Sequence, residues 1–359
     1  MKICVFCGGV GTRMWPLSRK KLPKQFQPLI GNKSPFQFMI GMLSKGFKLE
    51  DIYVVSGKEY EDLVKNQVPA LPSSNIILEP EMRDTLAAVG LAASILEKKF
   101  PGETMATIWG ADHVVKNEKE FIKALKAAEN LAKDKPVIVK IDVRPSSPNV
   151  HLGYIKIGKK IGETSGFEIH EFIKHIEKPP LTKAAEFLKK GYYLWNTGYL
   201  VWKISTIMNL YEKHTPGVFR IIKKIQKEFD NGGSDISNDF NKIPKISIDY
   251  GLFEKLKKGD QLVLLSDLGW SDIGAWDALK EALTKGNREN LINVSHEIID
   301  TENSFIKVKD KNKFVATVGL KDMIVIDDGD VLLICPKDRT SEIKNIVEKL
   351  KMGKKEKYL

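Results

Sequence analysis

The sequence is poor in cysteine and histidine and has no long apolar run. Three cysteines and six histidines stand in 359 residues. Cys4, Cys7 and Cys335 are too few, and too odd in number, for a disulfide framework. Cys4 and Cys7 form a C-x-x-C, but inside an apolar strand and without the second pair that a zinc site needs. They read as buried reduced thiols, which predicts a cytoplasmic protein. No apolar run approaches the ~20 residues that cross a bilayer, so no membrane association is expected. Met1 to Cys7 has neither a basic lead nor a small-residue cleavage site, so it is not expected to be a signal peptide. RNP-like aromatic motifs, zinc fingers and arginine-rich arms are missing too. The formal charge of +11 is therefore read as a solvated basic surface that attracts anionic substrates, with no nucleic-acid partner.

What is present is a regular alternation. Apolar strands are predicted at Ile3–Cys7, Ile52–Val55, Ile76–Leu78, Met105–Trp109 and Val137–Ile141. Helices are predicted between them at Phe36–Phe47, Glu59–Val68, Thr85–Phe100 and Phe121–Lys133. Uninterrupted apolar strands alternating with helices fit an α/β fold, a doubly wound sheet, mixed but mainly parallel, covered on both faces. Strands at Tyr154–Ile157, Phe167–Ile176, Gly198–Trp202 and Leu262–Leu265 extend it. Helices are expected at Thr182–Lys190, within Ile204–Phe229 and at Leu252–Lys258, with a loop at Gly232–Ser234. A turn at Gly269–Asp272 precedes a further helix after Ala275. Beyond about Asn287 the texture becomes short β-type runs separated by Asp, Asn and Gly, closed by a helix over Ser341–Lys351. The reading is two domains, 1–286 and 287–359, the second a small β-rich unit with solenoid-like spacing.

The chemistry concentrates after the first strand, in Gly8-Gly9-Val10-Gly11-Thr12-Arg13. A glycine turn at the carboxyl end of a parallel strand lets backbone N–H groups converge on a phosphate. Neither common nucleotide motif fits: the third glycine of G-x-G-x-x-G is Met14, and the G-x-x-x-x-G-K-[ST] loop is missing. Instead Arg13, Arg19 and Lys24 follow closely, cations suited to a triphosphate with a highly charged leaving group. Asp112 ends a strand, at the edge where α/β ligands sit. Asp272 lies in the Gly269–Asp272 segment, where a turn hydrogen bond is its ordinary role. His113 reads as a histidine that supports a neighbouring ligand or packs, rather than as a ligand itself. Asn196, in an otherwise apolar stretch, needs polar partners.

Gly9-x-Gly11-Thr12-Arg13, nine residues, then Pro23-Lys24 resembles the signature of the sugar-1-phosphate nucleotidyltransferases. The fuller run from Gly8 through Met14-Trp15-Pro16-Leu17-Ser18-Arg19 to Pro23-Lys24-Gln25-Phe26 is similar to the guanylyltransferases among them. Further blocks follow in order: Glu79-Pro80-x-x-Arg83-Asp84-Thr85, Gly110-Ala111-Asp112-His113, Gly153-Tyr154-Ile155, Phe172-Ile173-x-x-Ile176-Glu177-Lys178-Pro179, Leu194 to Gly198, Ser247 to Tyr250, and Gly269 to Trp276. The pattern departs at Val10, at Met14 and at Thr197-Gly198-Tyr199, where serine, leucine and Ser-Gly-Met are more usual.

The resemblance implies a Rossmann-like catalytic domain, a β-helix-like C-terminal domain and transfer of GMP from GTP to mannose 1-phosphate. Glucose or heptose 1-phosphate, or a non-catalytic sugar-nucleotide sensor, are the alternatives. It implies nucleotide contacts from Gly8, Gly9, Gly11, Thr12, Arg13, Lys24, Glu79, Arg83, Asp84 and Thr85. Sugar-phosphate contacts would come from Gly153, Glu177, Lys178, Asn196 and Asp249. Mg²⁺ would be held by Asp112 and Asp272, with Arg13, Lys24 and Lys178 as the catalytic cations. With the chain ending at Leu359 there is no room for the cupin isomerase domain of longer relatives, so no isomerase activity is expected. The resemblance further implies a homodimer made through the C-terminal region. Truncation near Arg288 is expected to leave the chemical groups in place while weakening association and stability.

Overall fold

The structure, a computed structural model, describes the chain except Val10, Ile30, residues 110–112, residues 231–234, Lys285 and Asn287. The Gly110, Ala111 and Asp112 readings and the Gly232–Ser234 loop therefore lie outside the described residues. By contacts the chain divides into two compact units. One comprises Met1–Gly8, Ile40–Ala111 and Val115–Trp270, the other Gly9–Met39, Asp112–Val114 and Ser271–Leu359.

The strands, in chain order, are β1 (Lys2–Phe6), β2 (Ile52–Gly57), β3 (Ile76–Glu79), β4 (Thr104–Trp109), β5 (His113–Val115), β6 (Ile138–Val143), β7 (Tyr154–Thr164), β8 (Phe167–Ile176), β9 (Tyr193–Lys203) and β10 (Gln261–Ser266). Then come β11 (Trp270–Asp272), β12 (Leu291–Ile292), β13 (His296–Ile299), β14 (Phe305–Val308), β15 (Val315–Val318), β16 (Met323–Asp327) and β17 (Leu332–Pro336).

The first unit is built on one sheet of order β3-β2-β1-β4-β9-β6-β10-β8-β7. β1 pairs parallel with β2 and β4, and β6 with β10, whereas β9 runs antiparallel between β4 and β6. The mixed, mainly parallel α/β expectation is thus what forms. β2 and β6 are buried at every position, which two covered faces require. One cover is the helix Asp84–Lys99, whose Ala and Gly run lets helix Pro216–Asp230 approach closely. A Cβ on Gly90 would stand 2.3 Å from Ile222 Cδ1. Leu86, Val89, Ile207, Tyr211 and Ile222 form the core between them.

In the second unit β12, β14 and β16 pair in parallel, as do β13 and β15, giving the stacked rungs of a short β-helix. β17 closes the stack antiparallel to β16, and helix Ile343–Met352 follows. Its core joins Phe305, Ile324, Ile326 and Leu333 to Met14, Trp15, Leu17 and Trp276. The segment after the glycine turn is therefore part of the same hydrophobic core as the β-helix.

Two predicted elements differ. Leu252–Lys258 is not a helix: Ser247 caps a single turn, Ile248–Gly251, and a 3-10 turn, Phe253–Lys255, ends in extended backbone at Leu256. With glycines at 251 and 259, the stretch between is too short to sustain a nucleus. Trp270–Asp272 is a strand, not a turn, because β5 supplies it a partner; the left-handed residue is Gly269, at φ 56°.

Candidate active site

β1 ends with Cys7 N–H on Val55 O at 2.8 Å, fixing where the glycine turn begins. Gly8 is exposed at the end of the strand. Gly9 and Gly11 adopt φ 92° and 66°, positions that favour glycine, and Thr12–Met14 makes a 3-10 turn. Lys24 lies against Gly11, where a Cβ would come within 2.7 Å of Lys24 Cδ. Ser18 Oγ accepts the Lys24 N–H at 2.9 Å, and Gln25 Nε2 donates to Gly9 O at 3.2 Å. A Cβ on Gly274 would lie 2.7 Å from Asp272 Oδ1, 3.0 Å from Arg13 Nη2 and 3.1 Å from Lys24 Nζ. Two cations and a carboxylate, distant in sequence, thus converge at one glycine, and Gly274 N–H donates to Asp272 Oδ1 at 2.7 Å.

Arg19 does not join them. Its Nη2 bonds Asp330 at 2.6 Å and Asp328 at 3.2 Å, and Nε donates to Pro16 O. The guanidinium holds the turn to the β-helix rather than a phosphate. His113 is buried, in line with its reading as a supporting or packing histidine. Among the described residues no group of three His, Cys, Asp or Glu side chains is arranged to hold a metal.

In the first unit, Glu79 ends β3, almost fully buried. Burial, with Glu59 and Asp84 nearby, pushes its carboxyl up to about 8. Asp84 has φ 65° and its Oδ1 accepts the Thr85 N–H at 2.7 Å. Arg83 turns to main chain, donating from Nε to Ile243 O at 3.0 Å and from Nη2 to Asn241 O. Thr85 Oγ1 accepts the Ile248 N–H at 2.8 Å. Arg83 and Thr85 therefore knit the Asn241–Ile248 segment to the start of helix Asp84–Lys99.

The five sugar-phosphate candidates come together in this unit. Asn196 N–H donates to Gly153 O at 2.9 Å. A Cβ on Gly153 would meet His175 Nε2 at 2.4 Å and Glu177 Oε2 at 2.7 Å, so only glycine leaves room for both. His175 stands 3.2 Å from Glu177 Oε2 and, through Nδ1, 3.7 Å from Asp249 Oδ1. Lys178, at φ 43°, reaches Glu177 Oε1 at 2.7 Å. His175, and then the Lys178 ammonium, hold the Glu177 carboxyl down at about 2 against the burial that opposes them. His175, Lys140 and Asp142 escaped the sequence reading. The one available signal was polar residues at alternate positions, Lys140 and Asp142, in a strand otherwise buried and apolar.

The nucleotidyl transferase family model matches residues 2–289, and a MannoseP isomerase/GMP-like beta-helix domain matches residues 295–350. A mannose-1-phosphate guanylyltransferase of Escherichia coli is 33% identical, over 98% of this chain and 76% of its own length. Another, from Klebsiella pneumoniae, is 31% identical over 99% and 74%. A crystal structure described as mannose-1-phosphate geranyltransferase from Thermus thermophilus superposes with a TM-score of 0.86, at 28% identity, over 98% of this chain and 99% of that one. The chain is a nucleotidyltransferase and belongs to the mannose-1-phosphate guanylyltransferase family.

Proposed function

We propose that the protein transfers GMP from GTP to α-D-mannose 1-phosphate, forming GDP-mannose and releasing pyrophosphate. The observation that carries this reading is the convergence of Arg13, Lys24 and Asp272 at Gly274, a constellation suited to a polyphosphate. The names of the relatives supply the choice of guanosine and mannose.

The attacking sugar phosphate is an anion at neutral pH, so no protein base is needed for in-line displacement at the α-phosphorus. Positioning and charge stabilisation remain for the protein to supply. Arg13 and Lys24 neutralise the departing pyrophosphate, and Lys178 aims the attacking phosphate. Glu177, ionised at any physiological pH, accepts hydrogen bonds from sugar hydroxyls, Asn196 and Asp249 complete that side, and Gly153 leaves room for them. Glu79, Arg83, Asp84 and Thr85 shape the nucleotide side, with the glycine run Gly8, Gly9, Gly11 and Thr12 taking phosphate oxygens.

Asp272 offers a hard carboxylate beside two phosphate-binding cations, a donor that fits Mg²⁺, an ion content with one or two protein carboxylates. Asp272, with Asp112, would hold Mg²⁺, whose charge would offset that of the phosphate oxygens when bound. We place the protein in the cytoplasm, supported by its three buried cysteines; no described helix is long and apolar enough to cross a membrane. A second copy of the chain is its proposed partner. The exposed Ile299, Phe314, Val318, Leu332 and Ile334 of the β-helix support a dimer made there.

Pyrophosphate release over a panel of nucleoside triphosphates and sugar 1-phosphates tests the reading. GTP with mannose 1-phosphate should give the highest kcat/KM. A preference for glucose or heptose 1-phosphate, or release with no pair, contradicts it.

A further inference from the structure

We propose that Lys140, with Asp142 as its buried counter-charge, is a positioning residue that turns the Asn196 amide so that Nδ2 donates to a sugar hydroxyl. The inference rests on the reading that Asn196 belongs to the sugar-phosphate side. β6 lies inside the sheet, between β9 and β10, and every residue of it is buried. Two of its six residues are nonetheless ionisable: Lys140 is 3% exposed and Asp142 is 0% exposed. Two apart on one strand, they project from the same face. Burying charges here costs stability unless each is paired and hydrogen-bonded, and apolar side chains would hold such a strand at least as well. A task beyond stability is the physical reason to keep them.

That task is visible across the strand pair. The register between β6 and β9 shifts between Ile141 and Val143, opposite Asn196-Thr197-Gly198. Such irregularities re-aim a side chain, and Gly198 accommodates this one at φ 75°. Asp142 Oδ1 accepts the Thr197 N–H at 3.2 Å, and Thr197 Oγ1 donates to Ile141 O. Lys140 Nζ donates to Asn196 Oδ1 at 3.2 Å, and the Gly198 N–H donates to the same oxygen at 3.3 Å. An ammonium and a backbone N–H are donors only, so the oxygen end of the amide must face them. Nδ2 is left at the other end, with no described residue accepting from it, and the Asn196 N–H anchors the residue on Gly153 O. Burial pushes the Asp142 carboxyl up, and the nearby Lys140 ammonium and the Thr197 N–H oppose that push. The Lys140–Asp142 pair thus sets a donor in place while Glu177 sets an acceptor, a combination that reads hydroxyl positions on a sugar.

Lys140→Met alone leaves a buried, uncompensated Asp142 and can fail to fold. The double variant Lys140→Met/Asp142→Asn removes both charges and keeps side-chain size. Its unfolding temperature is first checked against the wild type. The expected result is a KM for mannose 1-phosphate raised about tenfold, the loss of roughly one oriented hydrogen bond, with kcat and the KM for GTP within about twofold. Adding Asn196→Ala to the double variant should raise that KM no further, whereas Asn196→Ala in the wild type should raise it similarly. Both proteins are assayed with every sugar 1-phosphate of the panel. A folded double variant with the wild-type KM, beside a wild type active on mannose 1-phosphate, overturns this proposal alone. A wild type that turns over no sugar phosphate overturns the functional reading and this proposal together.

Discussion

Gly274 has no left-handed backbone to protect, so its replacement tests space alone. In Gly274→Ala the new Cβ would press on Asp272 Oδ1, Arg13 Nη2 and Lys24 Nζ. The two cations can move aside at their flexible ends, so thermal stability should change little while kcat falls by an order of magnitude or more. Unchanged turnover would separate the trio from the chemistry. Arg13→Ala, which removes the charge itself, should lower kcat by ~10²-fold or more in a folded protein. Glu79 gives a pH signature. Its folded pKa of about 8 lies above the usual carboxylate value, so the folded state keeps a proton that the unfolded chain releases. Stability should therefore fall as pH rises from about 4.5 to about 8, and Glu79→Gln should flatten that slope. Denaturant titrations across this range measure both; an equal slope in the two proteins would mean that Glu79 is ionised on both sides of folding.

The crossing of β7, β8 and β9 brings Gly153, His175, Glu177 and Asn196 to one place. Gly153→Ala would set a Cβ 2.4 Å from His175 Nε2 and should displace Glu177 with it. The KM for the sugar phosphate should rise by about tenfold or more, while the KM for the nucleotide stays within about twofold. Equal effects on both substrates would point to general misfolding instead. The strands and most helices were legible because burial of both sheet faces writes continuous apolar runs into the chain. Arg13 and Lys24 stood out as cations close behind a glycine turn, whereas Asp272 by itself read as a turn residue and was marked only by the resemblance. Arg19 was not: its partners Asp328 and Asp330 are some 310 residues away. Lys140 and Asp142 on β6 meet Asn196 and Thr197 on β9, and His175 on β8 meets Glu177 and Asp249, relations that spacing along one strand does not record. The strand Trp270–Asp272 was misread because its partner, β5, is only three residues long.

At the scale of the molecule, the C-terminal region holds the segment that follows the glycine turn as well as packing on itself. Trp15 Nε1 donates to Tyr358 O at 2.7 Å, Trp276 Nε1 donates to Trp15 O at 3.0 Å, and Arg19 is clasped by Asp328 and Asp330. Truncation near Arg288 removes Tyr358 and both aspartates. The expectation that the chemical groups would stay in place therefore gives way to another: the truncated chain should lose most of its turnover as well as stability. A soluble truncated protein with wild-type kcat would contradict that coupling. Light scattering of the full chain should report a dimer, and a strict monomer at working concentration would remove the β-helix from that role. The decisive observation is a ³¹P spectrum of the protein with GTP, mannose 1-phosphate and Mg²⁺. Free pyrophosphate and a new nucleoside diphosphate sugar should grow in equal amounts, at the expense of both substrates, and adding pyrophosphate should reverse them. Release of orthophosphate, or loss of GTP at the same rate without sugar phosphate, would contradict the transfer.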